Sequence, residues 1–324
     1  MAIKNIQNVV VAGVTGNLGP AVLNALVASG RFKITVFTRP KVKGEVEIPS
    51  PSSTTTPIPI PANGNSISNS NVQTVEVNYD SIDNLTTHLT AHSADAVVSL
   101  LPHTAPDKQT NLIQAAVAAG VTRFIPSEFG SDLDNPINRA APAFKGKVAA
   151  QELLKGLAAE NKISYTIIYN GAFLDWGLTY EFPIDVSKRT AVLHDGGERV
   201  YSTTTQPTVG NAVVNVLTLP EETKNRVVRI AEANVTIKQL LSLVQDVIGH
   251  EGWTVTETKI DQEVETAWTL IKKGVFNGES MMPFIYRAVW GSREMEMGMT
   301  AREKLDRYSI ETAMQLGATL LLPL

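Results

Sequence analysis

The chain has 324 residues, 43% of them hydrophobic and 19% charged, with a net charge of −4. That length and composition suit one large domain with a smaller lobe, and they exclude global disorder. The charge excludes a basic nucleic-acid face, and the lack of cysteine excludes disulfides, thiolate metal sites and a cysteine nucleophile.

Asn8 to Ala12 is a short β-branched run, as in a strand buried on both faces of a parallel sheet. A glycine-rich turn follows, Gly13-Val14-Thr15-Gly16-Asn17-Leu18-Gly19. A helix then starts near Asn17, with apolar Val22, Leu23, Leu26 and Val27, and ends at Gly30. Ile34 to Phe37 is a second strand, which completes a βαβ unit. Residues 49–71 hold five prolines among Ser, Thr and Asn and no charge, the composition of a long surface insertion. Order resumes with a strand at Val72 to Val77, a helix over Ser81–His92 and a strand at Ala96–Leu101. A helix over Asp107–Ala119, a strand at Arg123–Pro126, a helix over Ala143–Glu160 and a strand at Tyr165–Tyr169 follow.

This alternation predicts an α/β fold, a doubly wound parallel sheet. Beyond residue 171 the pattern is irregular, with helices expected near 208–219, 237–248 and 262–273. The expected division is a dinucleotide-binding domain over 1–170 and a smaller C-terminal substrate lobe over 171–324, some of whose segments return to the first domain.

The glycine spacing, at 13, 16 and 19, permits a tight turn, close backbone approach to phosphate and close helix–strand packing. The following helix points its free N–H groups at the anion. The second strand ends Thr38-Arg39-Pro40-Lys41-Val42-Lys43, with no acid to accept a ribose 2′-hydroxyl. Arg39 can pair instead with a 2′-phosphate, so NADP(H) is the expected cofactor. Lys43 or Lys41 assists, or both are loop solubilisers.

Arg123-Phe124-Ile125-Pro126-Ser127-Glu128-Phe129-Gly130 resembles the signature of the isoflavone reductase-like family. That family includes phenylcoumaran benzylic ether reductases and falls within the NmrA-like, atypical short-chain dehydrogenase/reductases. The order of further pieces is also similar: Gln109-Thr110-Asn111-Leu112-Ile113, Phe144-x-x-Lys147-Val148, Tyr165-Thr166 and Asn170-Gly171-Ala172-Phe173. The likeness is strong to about residue 215 and thin after it, and the proline-rich insertion looks more like fungal or bacterial members.

The resemblance implies a Rossmann-type fold, NADPH as hydride donor and a lysine as general acid/base, at Lys147. The tyrosine of ordinary short-chain dehydrogenases is missing, because Ala143 stands four residues earlier. A lysine at its ordinary pKa is a poor base near neutrality, and desolvation would lower it to a useful value. Lys145 is the competing candidate, and two residues along a helix the two lysines point in different directions.

Leu101-Pro102-His103 falls at the carboxyl edge of the sheet, where the nicotinamide ribose is expected. His103 touches cofactor or substrate there, or has no role. Phe129 and Phe173 are expected beside the nicotinamide. Gln109 and Asn170 are counted among the cofactor residues and Trp176 with the substrate. Glu128 bonds a nearby backbone or, less expectedly, serves as a catalytic carboxylate. Gln151 stands where plant relatives often have a basic residue.

His88 and His92, spaced i,i+4, read as a solvated helix face, and no metal is expected. Without an apolar run of ~20 residues or a signal-peptide pattern, a cytoplasmic monomer or homodimer is expected, acting on a small molecule with no membrane or nucleic-acid partner. Two other functions share the fold: an NmrA-like sensor that binds NADP(H) without turnover, and a non-redox isomerase or cyclase.

Overall fold

The computed structural model describes residues 5–40 and 71–291. Lys41, Lys43 and residues 49–70 of the insertion lie outside these.

The first half runs Asn8–Ala12 (β1), Gly19–Ser29 (α1), Lys33–Thr38 (β2), Val72–Glu76 (β3), Ile82–Ala91 (α2), Ala96–Ser99 (β4) and Pro106–Ala118 (α3). It continues with Arg123–Ile125 (β5), Pro136–Arg139 (α4), Lys145–Ala159 (α5) and Ser164–Tyr169 (β6). The second half runs Ala172–Phe173 (β7), Leu174–Thr179 (α6), Ile184–Asp185 (β8), Thr190–His194 (β9), Tyr201–Thr204 (β10) and Gln206–Thr218 (α7). It ends with Arg226–Arg229 (β11), Ala233–Val235 (β12), Ile237–Ile248 (α8), Thr254–Thr258 (β13), Ile260–Lys272 (α9) and Gly278–Trp290 (α10).

Seven strands form one parallel sheet in the order β11-β6-β5-β4-β1-β2-β3. Period-two alternation sends each strand's side chains to two faces. Val10 and Ala12 pack with Leu85, Leu89, Leu112 and Leu154 of α2, α3 and α5. Val9 and Val11 pack with Val22 and Leu26 of α1 and with Val209 and Val213 of α7. The order reverses between β1 and β4, so a crevice opens past their carboxyl ends.

The helix after the glycine turn begins at Gly19 rather than Asn17, because two tight turns intervene. Gly16 N donates to Gly13 O at 3.1 Å and Gly19 N to Gly16 O at 3.1 Å. His88 and His92 are half-buried rather than solvated: His88 meets the Phe37 ring edge-on and His92 Nδ1 lies 2.8 Å from Gln73 Nε2.

Arg123 is fully buried and cross-links the sheet. Its guanidinium donates to Ser164 Oγ at 2.9 Å, Thr166 Oγ1 at 2.8 Å, Thr223 Oγ1 at 3.1 Å and Pro220 O at 2.5 Å. Neutral oxygens thus satisfy a buried cation, and burial lowers its pKa to about 10.

In the second half, β12-β10-β7 and β13-β9-β8 form two three-stranded sheets. Trp290 is buried against the rings of Phe182, Tyr286, Tyr201 and His194, the last stacked at 4.8 Å. This cluster fixes α10 over the mouth of the crevice.

Candidate active site

A cleft of about 400 Å³ lies at the carboxyl edge of the sheet. It brings together Asn17 and Leu18 of the glycine turn, Leu101, Pro102 and His103 after β4, Phe129 after β5, Lys147 on α5, and Phe173 and Trp176 beside β7. Sequence reasoning expected all nine at a site. The other wall was not expected: Phe144, Phe182, and one face of α10 formed by Met282, Ile285 and Val289. Their i, i+3, i+7 spacing is the signal that could have shown a helix there.

Local geometry explains the glycine turn. Gly13 has φ +88°, and a Cβ on it would lie 2.5 Å from Leu100 O. A Cβ on Gly19 would lie 2.1 Å from Val14 O, so the α1 N-terminus can seat against the turn only without a side chain. Thr15, Gly16 and Asn17 are exposed, and Leu18, at the N-cap of α1, offers no side-chain cap. The turn therefore presents open backbone at a helix N-terminus, which suits a pyrophosphate. Arg39 stands exposed just past β2, close enough for its charge to act on Tyr79.

Among the cofactor residues expected outside the glycine turn and Arg39, Gln109 and Asn170 do not line the cleft. Gln109 is buried, and its Oε1 accepts from Ser127 N at 2.7 Å, while Ser127 Oγ donates to Leu101 O at 2.7 Å. Gln109 instead helps tie the β5 loop to the β4 loop. Asn170 is fully buried, and its Nδ2 donates to Gly171 O at 3.1 Å. Its Oδ1 finds no hydrogen-bond partner among the described residues.

The Pro-Ser-Glu-Phe-Gly segment is held under strain. Phe129 has φ +27°, a conformation that non-glycine residues seldom adopt. Asn170 N and Gly171 N both donate to Gly130 O, at 3.2 and 3.1 Å. The ring of Phe129 is thereby fixed in the cleft wall.

Lys147 is the third residue of α5. Its Nζ donates to the main-chain oxygen of Glu128, whereas Lys145 is exposed and points elsewhere. Burial pushes the Lys147 amine below its ordinary pKa, opposed by the Glu128 carboxyl. Burial and the Lys147 charge both lower His103. Burial raises Glu128, with Lys147 as the strongest opposing influence. Ala143 lines the cleft where a catalytic tyrosine would stand, and none of the described lining residues is a tyrosine. Among the described residues, no cluster of three or more acid, cysteine or histidine side chains could hold a metal, and no helix is long and apolar enough to cross a membrane.

A profile of the NmrA-like family matches residues 5–267. The chain belongs to the NmrA-like family. Oxidoreductase aprR of Aspergillus flavus is 29% identical over 277 residues, covering 85% of this chain and 84% of that protein. Oxidoreductase poxI of Penicillium oxalicum is 31% identical over 203 residues, 60% of this chain and 62% of its own length. The structure of leucoanthocyanidin reductase from Vitis vinifera with NADPH has the same fold, with a TM-score of 0.68 and 19% identity over 90% of this chain and 89% of that one.

Proposed function

We propose that this protein is an NADPH-dependent reductase that acts on a small aromatic or polyketide-like molecule, with Lys147 moving the proton. The observation that carries this reading is the cleft itself. One open cleft joins the glycine turn to a single lysine among its described lining residues and to a wall of aromatic and aliphatic side chains. Relatives named as oxidoreductases, and a neighbour of the same fold solved with NADPH, agree with it.

The glycine turn would hold the pyrophosphate and Arg39 the 2′-phosphate, while Leu101, Pro102, Phe129 and Phe173 would border the nicotinamide end. NADPH, when bound, supplies a hydride. Lys147 then gives its ammonium proton to the substrate atom that gains the electron pair, and remains as the neutral amine that its buried setting favours. Phe173, Trp176, Phe182 and α10 exclude water and orient a flat apolar substrate, and His103 stands at the rim. In this reading residues 171–324 work mainly as the substrate-binding lobe.

The test is consumption of NADPH, followed by its absorbance, against a panel of enones, quinones, imines and benzylic ethers. Turnover with at least one class is the expected result. Tight NADP(H) binding with no consumption by any of them would point to a sensor instead, and product formed at catalytic NADPH to an isomerase.

Arg39→Ser removes the proposed 2′-phosphate partner. NADPH affinity is expected to fall about 10- to 100-fold, for a lost charge-assisted contact of ~1.5–3 kcal/mol, with little change for NADH. Equal losses for both cofactors in fluorescence titrations would refute the assignment.

A further inference from the structure

Lys147 has a task in the cleft, but the ionisable group behind it has none. Glu128 is 2% exposed, and neither carboxyl oxygen finds a hydrogen-bond partner among the described residues. A buried charge so poorly paired costs several kcal/mol, and a glutamine would fill the same volume without that cost.

The surroundings narrow what the carboxyl does. Gln151 of α5 lies beside it and is shared: one Nε2 hydrogen goes to Tyr169 Oη at 2.9 Å, its Oε1 accepts from Arg139 Nη1 at 3.0 Å, and its amide lowers the Glu128 carboxyl against burial, second to Lys147. The cations facing Glu128 are Lys147 and Lys155 of α5 and Arg139 of α4. Arg139 is engaged by Gln151 and Glu152, and Lys155 lies 3.8 Å from Glu152 on the surface. The Tyr169 hydroxyl of β6 is the remaining titratable neighbour, and burial raises it further from ionisation. Lys147 is different, since its Nζ already reaches the Glu128 main chain. On the cleft side, His103 is the ionisable group close to Lys147.

We propose that Glu128 is a positioning residue acting through Lys147: its buried carboxyl, unpartnered behind the amine whose Nζ reaches the Glu128 main chain, supplies the opposite charge that keeps the Lys147 proton at the cleft. Burial drives the carboxyl up and the amine down, and their attraction resists both changes. Without the carboxyl, only the neutral main-chain oxygen of residue 128 offsets the desolvation of Lys147, and its ammonium is lost at lower pH. The inference rests on reading Lys147 as the proton-moving group.

The test reads the lysine directly. In the full, unliganded chain, lysines are tagged by ¹³C reductive methylation, and the Lys147 resonance is assigned by its loss in Lys147→Met. In Glu128→Gln its midpoint is expected to move to lower pH by about one unit or more, the usual effect of removing a nearby opposite charge. An unchanged midpoint overturns the proposal. The reciprocal measurement follows the Glu128 carboxyl by ¹³C-glutamate labelling in Lys147→Met, where its midpoint should rise. This second variant decides the matter if Glu128→Gln does not fold, and no rise there is equally fatal. The titrations judge the pair, and turnover by Lys147→Met judges the reading beneath it, so the two can fail separately.

Discussion

Lys147→Met is expected to lower turnover by about three orders of magnitude, within the ~10²–10⁴ that a positioned acid or base contributes, while NADPH binding stays within a few-fold of wild type. Methionine matches the apolar stem of lysine, so packing at the start of α5 is retained and only the proton carrier is lost. Lys147→Arg should rescue little, because a guanidinium does not release its proton in this range. The pH profile carries a sign. The folded-state pKa of Lys147 lies below its ordinary value, so proton-donating activity is present below that lowered pKa and is lost as pH rises through it. Substrate panels with stopped-flow NADPH oxidation compare both variants with wild type. Turnover by Lys147→Met within tenfold of wild type would remove Lys147 from the chemistry.

Gly13→Ala is expected to damage the fold and the cofactor site together, because it adds a clash to a left-handed backbone. The new Cβ would lie 2.5 Å from Leu100 O and 2.6 Å from Leu100 C, at φ +88°. Strain of this kind costs about 1–3 kcal/mol before any clash is counted. Relief requires either the turn or the end of β4 to move, and both border the cleft. The expected outcome is a melting temperature lower by about 5–10 °C, given ~2–4 °C per kcal/mol in a chain of this size, together with a loss of NADPH affinity of about 100-fold or more. Gly30→Ala is the control, because Gly30 also has a positive φ, +63°, but nothing lies within 4 Å of its Cβ position. It should cost only the backbone term of about 1 kcal/mol and leave NADPH affinity unchanged. Calorimetry and fluorescence titration compare the two, and similar affinity losses would show that space at Gly13 is not what matters.

The N-terminal half was legible because its signals are local and agree with one another. Asn8–Ala12 is a strand as read, Gly30 ends α1 in the left-handed conformation, and Ser81 caps α2 through the Asn84 N–H. Helical geometry separated Lys147 from Lys145, and the family spacing chose Lys147, which lines the cleft while Lys145 is exposed. Strand β11 was hidden because it is short and lies at the sheet edge. Arg226 and Arg229 flank its two valines, and among the described residues no strand pairs with its outer side. Helix α10 was hidden by Pro283 within it and by Gly278 at its start, although Asn277 and Ser280 form a capping box. The isolation of the Glu128 carboxyl depends on Gln151, Arg139 and Tyr169, which come from three elements. No reading of neighbours along the chain assembles that environment.

The return of α7 and β11 to the main sheet bears on how such a protein can diversify. Gly210 of α7 has no side chain, and a Cβ there would lie 2.7 Å from Ala21 O of α1. Strand β11 hydrogen-bonds β6 in register from Arg226↔Thr166 to Arg229↔Tyr169. A break in the chain near residue 170 is therefore no seam in space, and the N-terminal part cannot be traded between proteins as a self-contained cassette. New substrate preferences must arise instead by changing wall residues such as Met282, Ile285 and Val289 in place. In this architecture the two halves share one sheet, so a graft at residue 170 would have to rebuild both the α1–α7 contact and the β6–β11 pairing.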